Sequence, residues 1–160
     1  MFFGKYEHKV DSKGRVQLPV ALRRADDNSI YTRFMLVRGI DGCLSLFTHT
    51  HFERFRDAYM SGLSGQDEVV KFQRDFYSRM VEVELDNQGR LLLPRLQREE
   101  VGIGETVLFL GAGEWIEIWD RDRYEEHSKS SANSYDDIAR HFFATLGRVK
   151  PDRSENVGNE

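Results

Sequence analysis

Apolar and polar residues alternate in several short segments of the chain. In residues 81–85, valine and leucine alternate with glutamate, which is the period of a strand that buries one face. Residues 5–10 have a similar strand-like composition. Further strands are predicted at 16–18, 34–38, 44–47, 91–93, 107–110 and 115–119, with glycine-containing turns at 39–42 and 111–113. The pattern predicts a protein built mainly from short strands.

Three other segments have helical spacing. They cover residues 50–60, residues 66–79 and a stretch that Ser134 opens and that closes near Gly147. Phenylalanines mark the apolar stripes of these helices: Phe52, Phe55, Phe76 and Phe142. Stripes of this kind belong to a core more often than to a ligand site. We therefore predict that these side chains are buried.

One short segment of the chain occurs twice. Asp11–Pro19 and Asp86–Pro94, 75 residues apart, share aspartate, glycine, arginine, leucine and proline in register. The likeness continues in residues 43–48 and 115–120, each of which ends in a residue that can cap a following helix. In both copies the aspartate can accept a backbone N–H two residues on, and glycine permits positive φ, so Asp-x-x-Gly predicts a tight turn. The duplication therefore predicts two related hairpin units in a pseudo-two-fold arrangement.

The repeat suggests a division of the chain into five parts. The connector holds two of the predicted helices, and the last residues have little apolar content, which is typical of a disordered tail. The predicted parts are a first repeat at 1–55, a helical connector at 56–79, a second repeat at 80–127, a C-terminal helix at 128–147 and a disordered tail at 148–160.

Charge is distributed unevenly between the two copies. The whole chain has a formal net charge of -4, which at first argues against a nucleic-acid partner. Residues 1–24, however, hold six lysines and arginines against two acidic residues, whereas residues 80–105 hold three arginines against six acidic residues. The first copy therefore offers a basic surface that suits phosphate.

Composition excludes several classes of protein. No apolar run approaches the roughly 18 residues of a membrane span, so we expect no membrane partner. The first residues lack the apolar core of a signal peptide, and the single cysteine, Cys43, fits a reducing compartment. The expected localisation is cytoplasmic.

The run Lys9–Pro19, followed by Leu22, Arg23 and Arg24, resembles the DNA-binding domain of AbrB-type regulators. With the Met1-Phe2-x-Gly4 start, the second copy, the helical connector and the total length, residues 1–147 resemble the MraZ family. This family comprises regulators associated with the bacterial division and cell-wall gene cluster. The resemblance implies a mainly β, α+β fold: two AbrB-like repeats interlock in a swapped-hairpin β-barrel, with connector and C-terminal helices.

The same resemblance implies the partners. It indicates a homo-oligomeric ring, an octamer or a dodecamer, that binds direct repeats in double-stranded promoter DNA and associates with the nucleoid. Several identical subunits can engage successive repeats at high effective concentration. No cofactor and no small-molecule substrate are implied.

The DNA-contacting residues are carried over by motif position. Arg15 is the leading candidate, because its planar guanidinium can pair with guanine or with phosphate. Lys13, Arg23 and Arg24 lie beside it in the sequence, and Lys5 and Lys9 are expected to add phosphate attraction.

The second copy is expected to differ. Arg90 occupies the matching position, but Glu82, Glu84 and Asp86 surround it and can pair with it instead. We therefore expect the second repeat to be mainly structural or oligomeric. Gln97 stands where the first copy has Leu22, so the short helix there is expected to pack differently.

Other chemistry is less well supported by the residues. His49-x-His51 resembles a pair of metal ligands, but it lacks a nearby third ligand and is expected to be a solvated pair at a helix start. Cys43 lies in an apolar run and is expected to be buried. The glycine pairs at 102–104 and 111–113 lack the spacing of a dinucleotide loop. We predict no metal, no catalytic residue and no enzyme.

Two other functions stay open. The first is a protein-interaction module, such as an AbrB-like antitoxin that holds a protein partner; the duplicated motif argues against it. The second is a barrel-fold hydrolase, which rests only on scattered histidines and carboxylates. For each Asp-x-x-Gly-Arg motif, the simplest alternative is a hairpin turn whose arginine merely pairs with a carboxylate.

Overall fold

The strands and helices follow the two repeats closely. A computed structural model describes residues 1–24, 28–62, 65–130 and 134–146; the predicted tail at 148–160 lies outside them. The strands are β1 (Lys5–Lys9), β2 (Arg15–Gln17), β3 (Arg33–Arg38), β4 (Leu44–Phe47), β5 (Val81–Glu84), β6 (Arg90–Leu92), β7 (Thr106–Gly111) and β8 (Ile116–Asp120). The α-helices are α1 (His49–Tyr59), α2 (Asp67–Arg79), α3 (Arg95–Val101), α4 (Arg121–Ser130) and α5 (Tyr135–Leu146), and a 3-10 helix covers Val20–Leu22.

The strands interleave the two repeats. Six form an antiparallel sheet in the order β1-β7-β8-β4-β3-β5, and β2 pairs with β6 in an antiparallel two-stranded ribbon. Exchanging each strand for its counterpart in the other repeat reverses the sheet order and leaves the pairing unchanged. Isolated bridges between Val10 and Val16 and between Leu85 and Leu91 join the ribbon to the two outer strands of the sheet. The predicted α+β class is confirmed, and the hairpins are exchanged between the repeats.

Both repeats contribute side chains to the main core. Aligned positions are buried together: Val16 with Leu91, Leu18 with Leu93, and Phe34 with Phe109. Val16 and Leu91 are also cross-strand partners in the ribbon. Because the inner face of the ribbon belongs to this core, neither repeat can bury its own apolar side chains without the other.

The connector helices pack on a second, aromatic cluster. Phe52 is buried beside Phe47, and Phe55 and Phe76 are partly buried against them. Phe52 and Phe76 stack with their ring planes 9° apart. These three predictions of core residues are confirmed.

The described residues divide into two compact units, the first ending at Glu126 and the second beginning at His127. In the second unit, Phe142 is 59% exposed, so the prediction that it is a core residue is wrong. The sequence places it correctly on the apolar stripe of α5, but a stripe does not reveal what it packs against.

Helix α4 is not among the three predicted helices, although Asp120 is predicted as a cap. Asp120 Oδ1 accepts from the amides of Asp122 and Arg123 at 3.1 and 3.2 Å.

No helix in the described parts of the chain is long and apolar enough to cross a membrane.

Replacing Phe109 by alanine should test the shared core. Phe109 is fully buried, and truncation of such a side chain costs about 3–5 kcal/mol through lost burial and the cavity left behind. The free energy of unfolding, measured by urea denaturation at fixed protein concentration, should fall by this amount. Ile40→Ala is the control, since Ile40 is 84% exposed and its loss should cost less than about 0.5 kcal/mol. Equal losses for the two variants would contradict the assignment of the core.

Candidate nucleic-acid interface

The first Asp-x-x-Gly-Arg motif forms the predicted turn. Asp11 Oδ1 accepts from the backbone amides of Lys13 and Arg15, both at 2.9 Å. Gly14 has a φ of +82° and donates its amide to the Asp11 carbonyl oxygen at 2.9 Å. One carboxylate therefore organises the whole turn.

The second motif repeats this geometry. Asp86 Oδ1 accepts from the amides of Gln88 and Arg90, both at 2.9 Å, and Gly89 has a φ of +75°. The acidic surroundings of the second copy do not alter the turn. The turn chemistry inferred from the motif is confirmed in both copies.

Each motif arginine pairs with the aspartate of its own turn. Arg15 Nε lies 2.8 Å from Asp11 Oδ2, and Arg90 Nε lies 2.7 Å from Asp86 Oδ2. The side chains are 31% and 28% exposed, so both arginines reach the surface. Pairing with a carboxylate therefore does not distinguish the basic copy from the acidic one. Both bonds use Nε rather than the terminal amino groups.

The ribbon brings the two arginines onto one face. In β2 and β6, Arg15 lies opposite Leu92, and Gln17 lies opposite Arg90. The central residues of both strands are buried, so their neighbours point to the other side of the ribbon. Arg15 and Arg90 are consequently diagonal neighbours on the same outer face, together with Gln17 and Leu92. We call these four residues the ribbon face.

The sequence does not predict that Arg15 and Arg90 share a face, and Gln17 and Leu92 are not among the residues that it singles out. The alternation within residues 15–17 and 90–92 could have shown which side chains point outward. It could not show that the two strands are neighbours, because that pairing joins residues more than 70 positions apart in the sequence.

The other predicted contact residues lie at several places. Lys13 is exposed at the tip of the first turn, Lys9 is exposed on β1, and Arg24 is exposed beyond the 3-10 helix. Lys5 is also exposed on β1, with Nζ 4.7 Å from the centre of the Tyr124 ring. That distance fits a cation–π contact, so Lys5 has a partner within the chain.

Arg23 is the most enclosed of the predicted contact residues. Its guanidinium lies against Gly89 of the other repeat, where it occupies the space that a side chain at Gly89 would need. Nε of Arg23 is buried. The structure therefore places Arg23 beneath the second turn rather than beside the first.

The turn carboxylates are stabilised as anions. The pKa of Asp11 is lowered chiefly by the hydrogen bond from the backbone amide of Arg15, and that of Asp86 by the equivalent bond from Arg90. Partial burial opposes this effect in both cases. Each turn thus keeps a charged aspartate that holds its arginine.

The acidic strand β5 engages other partners. Glu82 Oε1 accepts from Arg33 Nη2 at 2.6 Å, and Glu82 Oε2 lies 3.0 Å from His49 Nε2. Arg90 donates to Asp86, which is one of the three carboxylates expected near it. Gln97 is buried, like its counterpart Leu22, and donates its side-chain amide to the Arg79 carbonyl oxygen at 3.0 Å, a bond that leucine cannot make.

The prediction that both histidines are exposed to solvent is confirmed for His49 only. His49 is exposed, but His51 is buried, with Nδ1 2.6 Å from Thr48 Oγ1 and Nε2 4.0 Å from Glu114. The expectation that both are solvated is therefore wrong for His51, because its ring packs against Phe2 at the start of the chain. Among the residues that the structure describes, no cluster of three or more histidine, cysteine or acidic side chains could hold a metal ion.

Cys43 is buried, as the sequence predicts. Burial raises the pKa of its thiol to about 12, so the thiolate needed for nucleophilic attack is not formed at neutral pH.

Comparison with known proteins identifies relatives along most of the chain. A family model described as "MraZ protein, putative antitoxin-like" matches residues 1–71 and 76–144. A protein of Heliobacterium modesticaldum named "Transcriptional regulator MraZ" is 34% identical over 139 residues, which covers 87% of this chain and 94% of that protein. Proteins with the same name from Caldanaerobacter subterraneus subsp. tengcongensis and Mycoplasmoides gallisepticum are 35% and 30% identical, over 88% and 87% of this chain and 96% and 95% of theirs.

Acid should weaken the fold through the two turn aspartates. A carboxyl group with a lowered pKa stabilises the folded state above the pH at which it titrates in the unfolded chain, and this contribution is lost as the pH falls through its pKa in the folded state. The urea midpoint should therefore drop on acidification below about pH 4. The drop should be smaller in the double variant Asp11→Asn, Asp86→Asn, which keeps an oxygen acceptor but removes the titrating charge.

Glu53→Gln, which removes an exposed carboxylate on α1, is the control and should follow the unmodified protein. If the double variant showed the same pH dependence as the unmodified protein, the turns would not contribute to acid sensitivity.

Proposed function

Since the chain belongs to the MraZ family, we propose that it is a transcription regulator, and not an enzyme, that binds double-stranded promoter DNA through the ribbon face. The observation that carries this proposal is the position of Arg15. It is partly exposed on the outer face of β2 and is held in place by Asp11. Because the bond to Asp11 uses Nε, we expect the terminal amino groups of Arg15 to serve as donors to DNA.

The shape of the ribbon supports the proposal. The major groove of B-DNA, about 12 Å wide, admits a two-stranded β-ribbon, and several regulators read DNA with strands. Arginine can donate two hydrogen bonds to guanine O6 and N7, and glutamine can bond adenine in a similar way. Arg15 is suited to this role, whereas Gln17 is not, because its side-chain amide nitrogen already donates to two carbonyl oxygens of the second turn.

Arg90 belongs to the same proposed interface. It shares the outer face with Arg15 and makes the same ion pair with its own turn. The acidic residues of β5 that would repel phosphate are engaged elsewhere in part, since Glu82 pairs with Arg33 and His49. Both repeats therefore contribute an arginine to the proposed interface. In this proposal the second repeat binds DNA together with the first, and is not only structural or oligomeric.

Phosphate contacts are assigned to other exposed lysines and arginines of the first repeat. Lys13, Lys9 and Arg24 are exposed, and Lys5 is exposed while contacting Tyr124. Such contacts position a protein on DNA without reading its sequence. Because they are electrostatic, they should make binding weaken with increasing salt.

We further propose that the protein acts as a ring of identical subunits, an octamer or a dodecamer. Connector helix α2 carries apolar side chains that the single chain leaves exposed: Val70, Phe72 and Tyr77. Burial of such side chains against a second copy would remove them from water. A ring would present the ribbon face several times along a duplex, which matches a promoter with direct repeats.

The proposed target is promoter DNA of the division and cell-wall gene cluster, and the proposed location is the cytoplasm, at the nucleoid.

The competing function is that of a protein-interaction module or antitoxin. The exposed apolar residues of α5 favour it: Ile138, Phe142 and Phe143. Stable co-purification of a protein partner, together with no affinity for DNA, would favour the competing function.

Removing the Arg15 side chain should weaken binding to DNA taken from upstream of the protein's own gene. Loss of an arginine that contacts a base costs about 1–3 kcal/mol, which corresponds to a fall in affinity of roughly 5-fold to 150-fold. The measurement is a fluorescence anisotropy titration at several salt concentrations. Arg56→Ala removes one positive charge from α1, where Arg56 pairs with Asp57, and serves as the control. Unchanged binding by Arg15→Ala, with assembly intact, would overturn the proposal.

Introducing charge on α2 should disrupt the ring. In Phe72→Glu, a half-exposed aromatic side chain becomes a carboxylate that is costly to bury. Light scattering after size-exclusion chromatography should then show a smaller species than the unmodified protein. Lys71→Glu alters an exposed neighbour on the same helix and should leave the mass unchanged. A full-size assembly of Phe72→Glu would exclude this face from the interface.

A further inference from the structure

The turn that carries Arg15 is supported from below by a side chain of the other repeat. Arg98, on α3, packs its guanidinium against Gly14: a Cβ atom added at Gly14 would lie 3.0 Å from its Cζ and Nη2. Arg98 Nε also donates to the Leu93 carbonyl oxygen at 2.9 Å. The Leu93 amide in turn donates to the Gly14 carbonyl oxygen at 3.0 Å. Arg98 is thus connected to the first turn both directly and through Leu93.

The second turn is supported differently. The Gln17 side-chain amide donates to the carbonyl oxygens of Gln88 and Gly89, both at 3.1 Å. The side chain of Leu92, the counterpart of Gln17, cannot donate a hydrogen bond. Arg23, the counterpart of Arg98, lies against Gly89, but its buried Nε has no hydrogen-bond partner among the residues that the structure describes. Among the residues that the structure describes, Nε of Arg98 is therefore hydrogen-bonded and Nε of Arg23 is not.

We propose that Arg98 is a positioning residue for the DNA interface: it holds the turn of residues 11–15 so that Arg15 is presented to DNA. This inference rests on the proposed function. It assigns a role in DNA binding to a residue of the acidic repeat that itself lies beneath the interface. It also gives a second reason for glycine at position 14, since any side chain there would displace the guanidinium.

Arg98 would act by ordering the turn of Arg15 before DNA binds. A side chain that is already held in its bound conformation loses less conformational entropy when it meets its partner. The turn is short and exposed at Lys13, and its internal hydrogen bonds all converge on Asp11. Removal of Arg98 leaves the Leu93 carbonyl oxygen without this donor and opens space beneath Gly14. Arg15 would then sample more orientations, and binding would weaken.

Arginine is needed for this role because of its shape as well as its charge. The planar guanidinium can lie flat against the glycine backbone while Nε donates to Leu93, whereas the ammonium group of lysine is a compact point charge. A conservative Arg98→Lys change should therefore fail to restore binding. If Arg98 acted only through its charge, lysine would replace it.

A double-mutant cycle with Arg15 tests the proposal on the full-length protein. Arg98→Ala is expected to lower the affinity for upstream DNA about tenfold, a size typical of coupled neighbouring sites. In an Arg15→Ala background, the same change should lower affinity by less than about twofold, since the residue through which it acts is gone. The slope of log affinity against log salt should stay the same in Arg98→Ala, because no phosphate contact is lost.

Arg23→Ala is the matched control, because it removes the equivalent guanidinium from beneath the other turn. Its effect should be nearly the same with and without Arg15. Circular dichroism and light scattering on each variant verify the fold and the assembly. Amide hydrogen exchange provides a readout that needs no DNA: Arg98→Ala should speed exchange at Gly14 and Arg15, while Arg23→Ala should not.

Each outcome has a distinct meaning. If Arg15→Ala itself leaves binding unchanged, the proposed function fails. If Arg15→Ala weakens binding but Arg98→Ala does not, or if the two effects multiply independently, Arg98 is not a positioning residue. A salt slope that falls by about one in Arg98→Ala would show a direct phosphate contact instead, and rescue by lysine would show a role of charge alone.

Discussion

The exchange of strands between the two repeats is the constraint on which the rest of the structure depends. β2 and β6 are three residues each, and they hydrogen-bond to each other rather than completing a sheet within their own repeat. A two-stranded ribbon of this length would be marginal in water by itself. It is stabilised because Val16 and Leu91 are buried in a core to which both repeats contribute. The proposed binding surface therefore exists only when both halves of the chain are folded together.

The same exchange changes how the charge asymmetry should be understood. As a sequence, the chain has one basic and one acidic copy, which suggests that one copy binds DNA and the other supports the assembly. In the folded chain the two motif arginines lie on one face, and each turn is held by a side chain of the other repeat. The duplication thus produces one composite surface with two non-identical halves. Such a surface can present different side chains, such as Gln17 and Leu92, to the two sides of a site.

Much of this was accessible from local patterns. The Asp-x-x-Gly turns, the strand alternation, the helix caps and the burial of Cys43 are decided by neighbours in the sequence, and the structure confirms them. Features that depend on distant contacts were not accessible. His51 is buried because Phe2 packs on it, Phe142 is exposed although its stripe is apolar, and Arg23 lies under the turn of the other repeat. Arginine stands at the aligned positions 23 and 98 of the two copies, although the residues beside it differ. This identity could have indicated that the two arginines have equivalent positions in the fold.

The central claim is that the ribbon face meets DNA, and a structure of the assembled protein bound to a duplex from upstream of its own gene tests it most directly. The account predicts that β2 and β6 lie in or against the major groove, with the Arg15 guanidinium within about 3.2 Å of a base edge or a phosphate oxygen. A complex in which the duplex contacts another surface, with the ribbon face turned away from it, would contradict the account.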